Sequence, residues 1–408
     1  MNFLVYSSIL IFLAGLLALK TNMMLVNLDF FLFYSFLSTL YLFSSYLLSR
    51  QYRPSTFFPD RPYHPRVSIV VPCYNEERVI ERNLRSLKEQ KYPQNSLEII
   101  VVNDGSTDET LKRIEKIREE MSNLIVIDLP MNRGKRNVVV TGIRKASGSI
   151  MMTIDSDTIL REDAVQEIVK PFRNPEVKGA CGNTEIYNSE ENIVTKMQVI
   201  YYWLGFNLLK ASQSFTGTVI CLSGCINAYR KDEALKFLDE FEHQKFLGVP
   251  PVAGDDRSLT TFLLRRKGKT LFVPNAVAYT FVPTTFIKML KQQLRWKRSY
   301  VRESVIASAF MWNTPLISSL RFYSEVFLSF ICPIAMLRIL LLYWNTTALP
   351  FVLLGYMIAP TLAIIYYSST VGKFSPHYLI FGFLWTTIFI WLLPYAIVTV
   401  NSRGWMTR

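Results

Sequence analysis

Acidic side chains follow two apolar runs of this sequence, and their positions predict a shared chemical role. Asp104 follows residues 97–102, and both Asp155 and Asp157 follow residues 150–154. A short apolar, β-branched run bounded by turn residues is typical of a buried strand. Carboxylates at the ends of neighbouring strands repel one another unless a cation or a cationic part of a ligand lies among them. The spacing therefore indicates a site that holds positive charge.

The elements that must position these side chains alternate between strands and helices. Apolar runs occur at residues 67–71, 97–102, 124–129 and 150–154, and helical stretches separate them. This alternation predicts an α/β fold with a mostly parallel sheet, in which ligands bind at the carboxyl ends of the strands. Tyr74 and Glu76 follow the first run and are expected at the same edge.

Further polar motifs occur later in the chain, and each is weak when taken alone. They comprise NRGKR, which contains Lys135, before a helix; Ser223, Gly224 and Cys225 in a turn; GDDR, which contains Asp255 and Asp256, at a helix start; Gln292, Arg295 and Trp296 in QQLRW; and Trp405 and Arg408 in the final GWMTR. The motifs occur in this order in a chain that also has the membrane segments described below, and we therefore take the set as a strong functional signal.

Composition narrows the class of protein. Half of the 408 residues are hydrophobic and 19% are charged, against about 25% in a typical soluble domain. This balance indicates membrane spans and excludes a disordered or fibrous chain. Five Cys, an odd count, disfavour a secreted disulfide scaffold. With only three scattered His, any metal would be held by carboxylates.

Five apolar segments are candidate membrane segments, and the first two are predicted to be a pair of spans, because each is close to the length of about 20 residues that a bilayer requires. They are residues 3–19, 30–49, 322–344, 348–368 and 378–400. A signal peptide is the weaker interpretation of the first segment, since no basic side chain precedes it. Four arginines follow the second segment, namely Arg50, Arg53, Arg61 and Arg66. They place the chain from residue 50 onward in the cytoplasm by the positive-inside rule.

The predicted organisation has six parts. They are two transmembrane helices at 1–49, a Pro-rich juxtamembrane linker at 50–66, a cytoplasmic catalytic domain at 67–282, an amphipathic interface helix at 283–313, C-terminal membrane segments at 314–400 and a cytoplasmic tail at 401–408. Five full spans would leave Arg403 and Arg408 outside, against the charge rule. We therefore expect one segment to be broken, re-entrant or flat, with Pro333 and Pro394 as the candidate breaks.

Basic residues recur in the interface helix. Residues 283–304 combine apolar positions with Lys and Arg, a pattern that suits an anionic membrane surface. An ordinary surface helix packed against the core is the alternative. The net charge of +13 would also suit nucleic acid. Since the positive residues cluster at membrane borders and on this helix, we predict a lipid bilayer and no nucleic acid as the partner.

Taken together, the motifs resemble those of the processive, membrane-embedded inverting glycosyltransferases of family 2, which include cellulose, chitin, poly-N-acetylglucosamine and hyaluronan synthases. The resemblance covers nearly the whole chain and is strongest to bacterial class I hyaluronan synthases, at SQSFTGTVICLSGCINAYR, FLGVP, GDDRSLT and KQQLRWKRSYVRES. Nod-factor chitin-oligosaccharide synthases share segments similar to GDDR, VPNA and QQLRW. Cys225 is a departure, because many members have Pro there.

The resemblance implies a GT-A-type domain on the cytoplasmic side of a multi-pass plasma-membrane protein. It implies UDP-sugar donors and a growing β-linked polysaccharide that is exported, with hyaluronan from UDP-N-acetylglucosamine and UDP-glucuronate as the first expectation. Chitin or chitin oligosaccharide is the alternative product. A lipid-linked sugar transferase and, in a different class, a transporter or scaffold with a degenerate transferase domain are further alternatives.

The resemblance also implies residue roles. The expected nucleotide-sugar-binding residues are Tyr74, Glu76, Asp104, Lys135, Asp155, Gln292, Arg295, Trp405 and Arg408, and the expected acceptor-binding residues are Ser223, Gly224, Cys225 and Trp296. Asp157 is expected to hold Mg²⁺ or Mn²⁺, ions that carboxylate oxygens suit. Asp256 is the expected general base.

Some of these residues also have a purely structural interpretation. Trp296 and Trp405 would also suit membrane-interface anchors. Asp255 would also suit a helix cap. Arg338, inside an apolar segment, either faces a polar cavity, reaches the membrane boundary or pairs with Glu325.

Overall fold

The computed structural model describes residues 2–26, 29–54, 63–343, 345–347 and 349–402, and every structural statement concerns these residues. The predicted roles of Trp405 and Arg408 lie outside them. The chain forms two compact units. The first contains Met1–Tyr52, Ser189–Thr216 and Pro283–Val400, and the second contains Arg53–Asn188, Gly217–Val282 and Asn401–Arg408. Each unit is described by itself.

The second unit contains an eight-stranded sheet. Its strands are β1 (Val67–Cys73), β2 (Leu97–Asn103), β3 (Leu124–Asp128), β4 (Ile150–Thr153), β5 (Ile159–Leu160), β6 (Val177–Ile186), β7 (Asn227–Arg230) and β8 (Lys269–Thr280). They lie in the order β3-β2-β1-β4-β7-β6-β8-β5. The four strands expected from the sequence are neighbours in one half of this sheet.

That half is parallel, whereas the other half is mixed. β1 runs parallel to β2 and β4, and β2 runs parallel to β3. β7 is antiparallel to both β4 and β6, while β6 and β8 are parallel. The prediction of an α/β fold with a mostly parallel sheet is confirmed. The mixed half was not predicted, because β7 has only four residues, Asn227–Arg230, two of them polar, and carries little local strand signal.

Helices cover this sheet and complete its core. They are Ile80–Lys88, Thr110–Arg118, Lys135–Lys145, Ala164–Val169, Lys231–Leu235, Leu238–Glu242 and Asp255–Arg265, with 3₁₀ turns at Gln94–Ser96 and Lys170–Arg173. All seven residues of β1 are buried. Burial on both faces is typical of a parallel strand between helical layers, which explains why β1 is apolar except for Ser68 and does not alternate.

The first unit is helical among the described residues. Its helices are Asn2–Val26, Phe30–Gln51, Ile193–Trp203, the π-helix Leu204–Lys210, Ala211–Ser214, Phe286–Ser308, Leu316–Tyr343, Leu349–Tyr356, Ile358–Val371, His377–Thr387 and Leu392–Val398, with 3₁₀ turns at Met311–Asn313 and Phe389–Trp391. Five helical segments are long and apolar enough to cross a membrane, namely Phe3–Val26, Phe30–Gln51, Leu316–Tyr343, Leu354–Val371 and His377–Val398. They correspond to the five predicted segments.

The two candidate breaks differ. Leu316–Tyr343 continues through Pro333, so the expectation of a break there is wrong. The last segment is interrupted at Ile388, followed by the 3₁₀ turn and then by the helix that contains Pro394. Pro394 has no N–H to donate to the carbonyl of Ile390, and its ring crowds that carbonyl. The interruption just before it has a local cause in the sequence.

The expected amphipathic helix is present as Phe286–Ser308, and we call it the basic helix. Met289 on this helix is fully buried in a cluster that includes Met197 and Phe389. Its apolar side therefore packs inside the first unit. This agrees with the alternative interpretation, an ordinary surface helix packed against the core. Contact with a bilayer stays a prediction.

Two features of the first unit bear on the predicted organisation. Residues Ser189–Thr216 belong to this unit, although they lie within the predicted domain at 67–282, whose boundaries stay a prediction. Arg338 pairs with Asp29 at 3.4 Å and lies over the ring of Phe31. Glu325 instead accepts a hydrogen bond from the Tyr41 hydroxyl at 2.8 Å. The alternative that paired Arg338 with Glu325 is therefore wrong.

Candidate active site

Three loops that carry predicted residues start at one edge of the sheet, after β1, β2 and β4. Cys73 at the end of β1 pairs with Asn103 at the end of β2, and β4 ends at Thr153 beside β1. Tyr74 and Asp104 begin the loops after β1 and β2, and Asp155 is the second residue after β4. The expected convergence at the carboxyl ends of the strands is confirmed.

Asp104 organises the loop before the Lys135–Lys145 helix. Its Oδ1 accepts a hydrogen bond from Arg133 N at 2.7 Å, and its Oδ2 accepts one from Gly134 N at 3.0 Å. Burial raises the pKa of Asp104, although these two backbone donors oppose the change. The carboxylate thus fixes the start of the helix that carries Lys135.

The first two loops of the edge are tied to each other. Asn75 has φ of 54°, and its Oδ1 accepts a hydrogen bond from Thr107 N at 2.8 Å. The backbone N–H of Glu76 donates to Thr110 Oγ1 at 2.7 Å. These bonds give the Tyr74–Asn75–Glu76 loop a defined position next to the loop after β2.

The turn after β4 is fixed by a residue that the sequence analysis missed. Thr158 N donates to Asp155 O at 3.0 Å. Asn83, buried in the Ile80–Lys88 helix, donates to Asp155 O at 3.2 Å and to Thr158 O at 2.7 Å. No sequence signal marks Asn83, since 72 residues separate it from Asp155.

The electrostatics around Asp157 favour a bound cation. Burial, followed by the negative charges of Asp155 and Glu76, raises the pKa of Asp157 to about 7, while Lys135 opposes the change. A buried carboxylate among like charges is relieved by a cation. No group of three or more His, Cys, Asp or Glu side chains in the described chain forms a metal site. Further ligands would have to come from substrate or water, as is common for Mg²⁺.

Lys135 supplies a positive charge next to these acidic residues. Its Nζ is hydrogen-bonded to Asp155 Oδ1, and 33% of the Lys135 side chain remains exposed. Burial lowers the pKa of Lys135, but the charges of Asp155, Asp255 and Asp256 raise it more, and the net pKa is raised. Lys135 therefore stays protonated, on a partly open surface beside the acidic residues.

The Ser223–Gly224–Cys225 turn lies between two acidic residues. Gly224 O accepts a hydrogen bond from Asp155 N at 3.2 Å, and Gly224 N donates to Asp256 Oδ2 at 3.1 Å. A Cβ at position 224 would lie 3.0 Å from Asp155 Oδ2, so the close approach favours Gly. Burial, then Asp155 and Asp157, raises the pKa of the Cys225 thiol to about 12. Cys225 is thus a neutral thiol near the acidic residues after β4.

Asp256 lies at the start of the Asp255–Arg265 helix. Gly254, with φ of 86°, occupies the N-cap position. Asp256 Oδ1 accepts a hydrogen bond from Arg257 N at 2.8 Å, and Cys221 Sγ is 3.8 Å from its Oδ2. Asp256 is partly exposed, which leaves it accessible to a substrate hydroxyl.

Asp255 makes a different contact from its neighbour. Its Oδ1 accepts a hydrogen bond from Arg136 Nε at 2.9 Å, and both side chains are buried. The helix-cap alternative for Asp255 is wrong, since Gly254 is the cap and provides no side chain. Arg136 is a second residue that the sequence analysis missed, although it is part of the NRGKR motif.

The QxxRW residues belong to the first unit. Gln292, Arg295 and Trp296 lie on the basic helix. The ring of Trp296 stacks on Tyr201 with centroids 6.2 Å apart and contacts Tyr202 edge-on at 6.1 Å. Donor binding by Gln292 and Arg295 and acceptor binding by Trp296 stay predictions.

Comparisons with known proteins agree with this geometry. The model of the family described as "Glycosyl transferase family 2" matches residues 68–236. An N-acetylglucosaminyltransferase of Mesorhizobium japonicum is 31% identical over 389 residues, which cover 92% of this chain and 90% of the relative. The chain belongs to glycosyltransferase family 2.

Two further matches extend this assignment. A hyaluronan synthase of Streptococcus pyogenes is 32% identical over 325 residues, which cover 78% of this chain and 74% of the relative. A mannosyltransferase of Pyrobaculum calidifontis, solved in complex with GDP-Man and Mn²⁺, superimposes with a TM-score of 0.61 at 20% identity. That match covers 89% of this chain and 96% of the mannosyltransferase. It supports the GT-A-like fold, and the resemblance stated from the motifs is confirmed at the level of the family.

Proposed function

We propose that this family 2 glycosyltransferase is a processive, inverting enzyme that uses UDP-sugars to build and export a β-linked polysaccharide. One observation carries the proposal. The backbone of Gly224 contacts both Asp155 and Asp256, since Gly224 O accepts from Asp155 N and Gly224 N donates to Asp256 Oδ2, which supports a donor side and a general base that serve one bound sugar. This arrangement suits a single displacement at the anomeric carbon.

The donor side binds the nucleotide diphosphate. Tyr74, Glu76 and Asp104 hold the uridine, as the family resemblance implies, and Lys135 moves its charge from Asp155 to the diphosphate. Asp157, with Asp155 beside it, would hold Mg²⁺ or Mn²⁺. Such a cation neutralises charge on the diphosphate and makes it a better leaving group. The negative charges of Asp155 and Glu76 close to Asp157, which raise its pKa together with burial, fit this role.

The transfer step is carried by Asp256. Its carboxylate accepts the proton of the acceptor hydroxyl. The hydroxyl oxygen then forms a bond to the anomeric carbon on the face opposite the diphosphate. The bond from that carbon to the phosphate oxygen breaks, and UDP leaves with the electron pair. One displacement converts an α-linked donor into a β-linked product, and no covalent enzyme intermediate is required.

The membrane features support processive synthesis with export. Five helical segments have the length and hydropathy of membrane spans. Arg50, in the last turn of the second segment, and Arg53, just after that segment, favour a cytoplasmic catalytic domain in the plasma membrane. Trp296 offers an aromatic face for an acceptor sugar, and Ser223 lies in the same turn as Gly224. A degenerate transferase domain in a transporter is disfavoured, since Asp104, Asp157 and Asp256 are all present.

Hyaluronan is the proposed product, made from UDP-N-acetylglucosamine and UDP-glucuronate. The resemblances at residues 212–230, 246–250 and 291–304 and the S. pyogenes relative support it. Chitin or a chitin oligosaccharide is the second candidate. The longer alignment with the Mesorhizobium N-acetylglucosaminyltransferase, 92% of this chain against 78%, favours that candidate. Both products require the transfer of N-acetylglucosamine.

Purified full-length enzyme with radiolabelled UDP-sugars distinguishes these products. The donors are supplied singly and together, with Mg²⁺ or Mn²⁺, and the polymer is treated with hyaluronidase or chitinase. Hyaluronan synthesis requires polymer only when both donors are present, and hyaluronidase must digest it. Polymer from UDP-N-acetylglucosamine alone that chitinase cuts would replace hyaluronan with chitin. No sugar transfer from either donor would contradict the enzyme proposal itself.

A further inference from the structure

Arg136 and Asp255 form a buried ion pair directly behind the candidate active site. Arg136 Nε is 2.9 Å from Asp255 Oδ1, and the two side chains are 8% and 7% exposed. Each residue is adjacent in sequence to a predicted functional residue, Arg136 to Lys135 and Asp255 to Asp256. The pair therefore joins the start of one helix to the start of another at the level of their functional side chains.

Arg136 also contacts the segment that leads to Asp255. Its Nη1 donates to Phe241 O at 2.9 Å and to Gln244 Oε1 at 2.7 Å. Its guanidinium lies 4.4 Å from the centroid of the Phe241 ring. Gln244 Oε1 accepts a second hydrogen bond, from Ser258 Oγ at 2.6 Å. Arg136 thus holds the chain on both sides of residues 245–254.

These contacts complete a closed ring around the site. Lys135 pairs with Asp155, and Asp155 N bonds to Gly224 O. Gly224 N bonds to Asp256, and Asp256 follows Asp255, whose partner Arg136 follows Lys135. The donor side and the proposed base are thereby connected by two routes. One route runs through the Gly224 peptide, and the other runs through the buried ion pair.

The energetics of the pair argue against a purely stabilising role. Removing two charges from water has a cost that their attraction often fails to recover, and apolar replacements of buried pairs are often neutral or stabilising. In the described chain, Arg136 Nη2 is buried without a hydrogen-bond partner, which adds to that cost. A pair of this kind is better explained by the geometry that it imposes.

We propose that Arg136 and Asp255 are positioning residues, which set the distance between the diphosphate-binding side at Lys135 and the general base Asp256. The inference rests on the proposed function and adds a specific task for the second acidic residue of GDDR. Positioning has a large effect on the transfer step, since a misplacement of about 1 Å costs on the order of 100-fold in rate.

An apolar double variant separates positioning from stability. In R136M/D255L both charges are removed together, so neither is left buried and unpaired. The near-isosteric D255N serves as the second variant if the double variant folds poorly. E167Q is the matched control, because Glu167 forms a partly buried ion pair with Lys170 in the same unit, 12% and 15% exposed, and no proposed role falls on it.

The assay uses the full-length enzyme in detergent. It measures kcat and KM for the UDP-sugars, UDP affinity in the presence of Mg²⁺ or Mn²⁺, and the thermal midpoint. For R136M/D255L we expect kcat to fall by about 100-fold, with UDP affinity and the thermal midpoint preserved. D255N should lower kcat in the same direction, and E167Q should leave it unchanged.

Three outcomes would overturn the inference. The first is unchanged kcat in both variants. The second is a loss of activity that follows only a fall in the thermal midpoint, which would make the pair structural. The third is a rise in KM without a fall in kcat, which would place the pair in donor binding. Failure of the proposed function is recognised separately, since wild-type enzyme would then transfer no sugar.

Discussion

Lys135 and Arg136 are adjacent in the chain, yet their ion pairs lie in opposite environments. The side chains of Lys135 and Asp155 are 33% and 30% exposed, whereas those of Arg136 and Asp255 are 8% and 7% exposed. The first pair lies at the open edge of the sheet. The second lies beneath that edge, between two helices and the segment that contains Phe241 and Gln244.

This difference separates two tasks. A partly exposed pair contributes little to stability, so Lys135 can exchange Asp155 for a phosphate at low cost. A buried pair cannot be opened cheaply, because each charge would lose its partner in a medium of low dielectric. The outer pair is thus suited to binding a ligand, and the inner pair is suited to holding the geometry around it.

The largest expected effect concerns Asp256, the proposed base that the Arg136–Asp255 pair is proposed to position. D256N keeps the shape of the side chain and removes its ability to accept a proton. We expect polymer formation to fall by about 10²- to 10⁴-fold, while UDP affinity is retained. Steady-state polymerisation and UDP binding measure the two effects. D232N, at an exposed acidic position of the same unit, is the control, and substantial activity in D256N would remove Asp256 from this role.

The second prediction concerns the cation that Asp157 is proposed to hold, next to the partly exposed pair of Lys135 and Asp155. Chelation by EDTA should stop turnover, and Mg²⁺ or Mn²⁺ should restore it. D157N should lower turnover by about 100-fold or more, since a catalytic cation supplies several kcal/mol of charge stabilisation. It should also weaken UDP binding in the presence of the metal. Unchanged metal-dependent UDP affinity in D157N, measured by titration calorimetry, would contradict the ligand assignment.

Lys135 tests whether the outer pair exchanges partners. K135Q removes a charge-assisted hydrogen bond to the diphosphate, of a kind that contributes about 1.5–3 kcal/mol. We expect UDP to bind roughly 10- to 100-fold more weakly, with little change in the thermal midpoint. K112Q is the control, because the Lys112 side chain is 81% exposed and no proposed role falls on it. A fall in kcat at unchanged UDP affinity would assign Lys135 to the transition state alone.

The smallest effect concerns the chain between Gln244 and Asp255. Phe246 and Val249 are joined by two backbone hydrogen bonds across Leu247 and Gly248, whose φ angles are 49° and 80°. This tight turn favours Asn-Gly, and a left-handed conformation costs an ordinary L-residue about 1–2 kcal/mol. L247N should therefore raise the thermal midpoint by about 2–4 °C. L247A, which keeps the strain, should not, and equal midpoints in both variants would remove the strain argument.

Much of the sheet edge that carries Tyr74, Asp104 and Asp155 could be predicted from the sequence, because the signals for its strands and loops are local in the chain. The parallel strands β1, β2 and β4 are mostly apolar runs, Tyr74 and Asp104 follow directly after β1 and β2, and Asp155 is the second residue after β4. Parallel neighbours end at the same edge, so the order of strands along the chain is sufficient to bring these residues together. The candidate membrane segments could also be predicted from the sequence, since length and hydropathy alone define them.

The buried contacts behind this edge could not be predicted in this way, because they join parts of the chain that are far apart in sequence. Arg136 and Asp255 are 119 residues apart, and Asn83 reaches across 72 residues to Asp155. Strand β7 carries a weak local pattern, and its place between β4 and β6 follows from pairing. No spacing within a motif contains this information.

The sequence by itself determined the family, the apolar helices and the acidic edge of the sheet. Only the tertiary structure decided which contacts the two acidic residues of GDDR make. Successive residues of a helix point about 100° apart, so Asp255 and Asp256 must face different surroundings. Which one meets the buried guanidinium of Arg136 and which one meets the Gly224 peptide depends on how the helix packs, and packing is fixed by the whole fold.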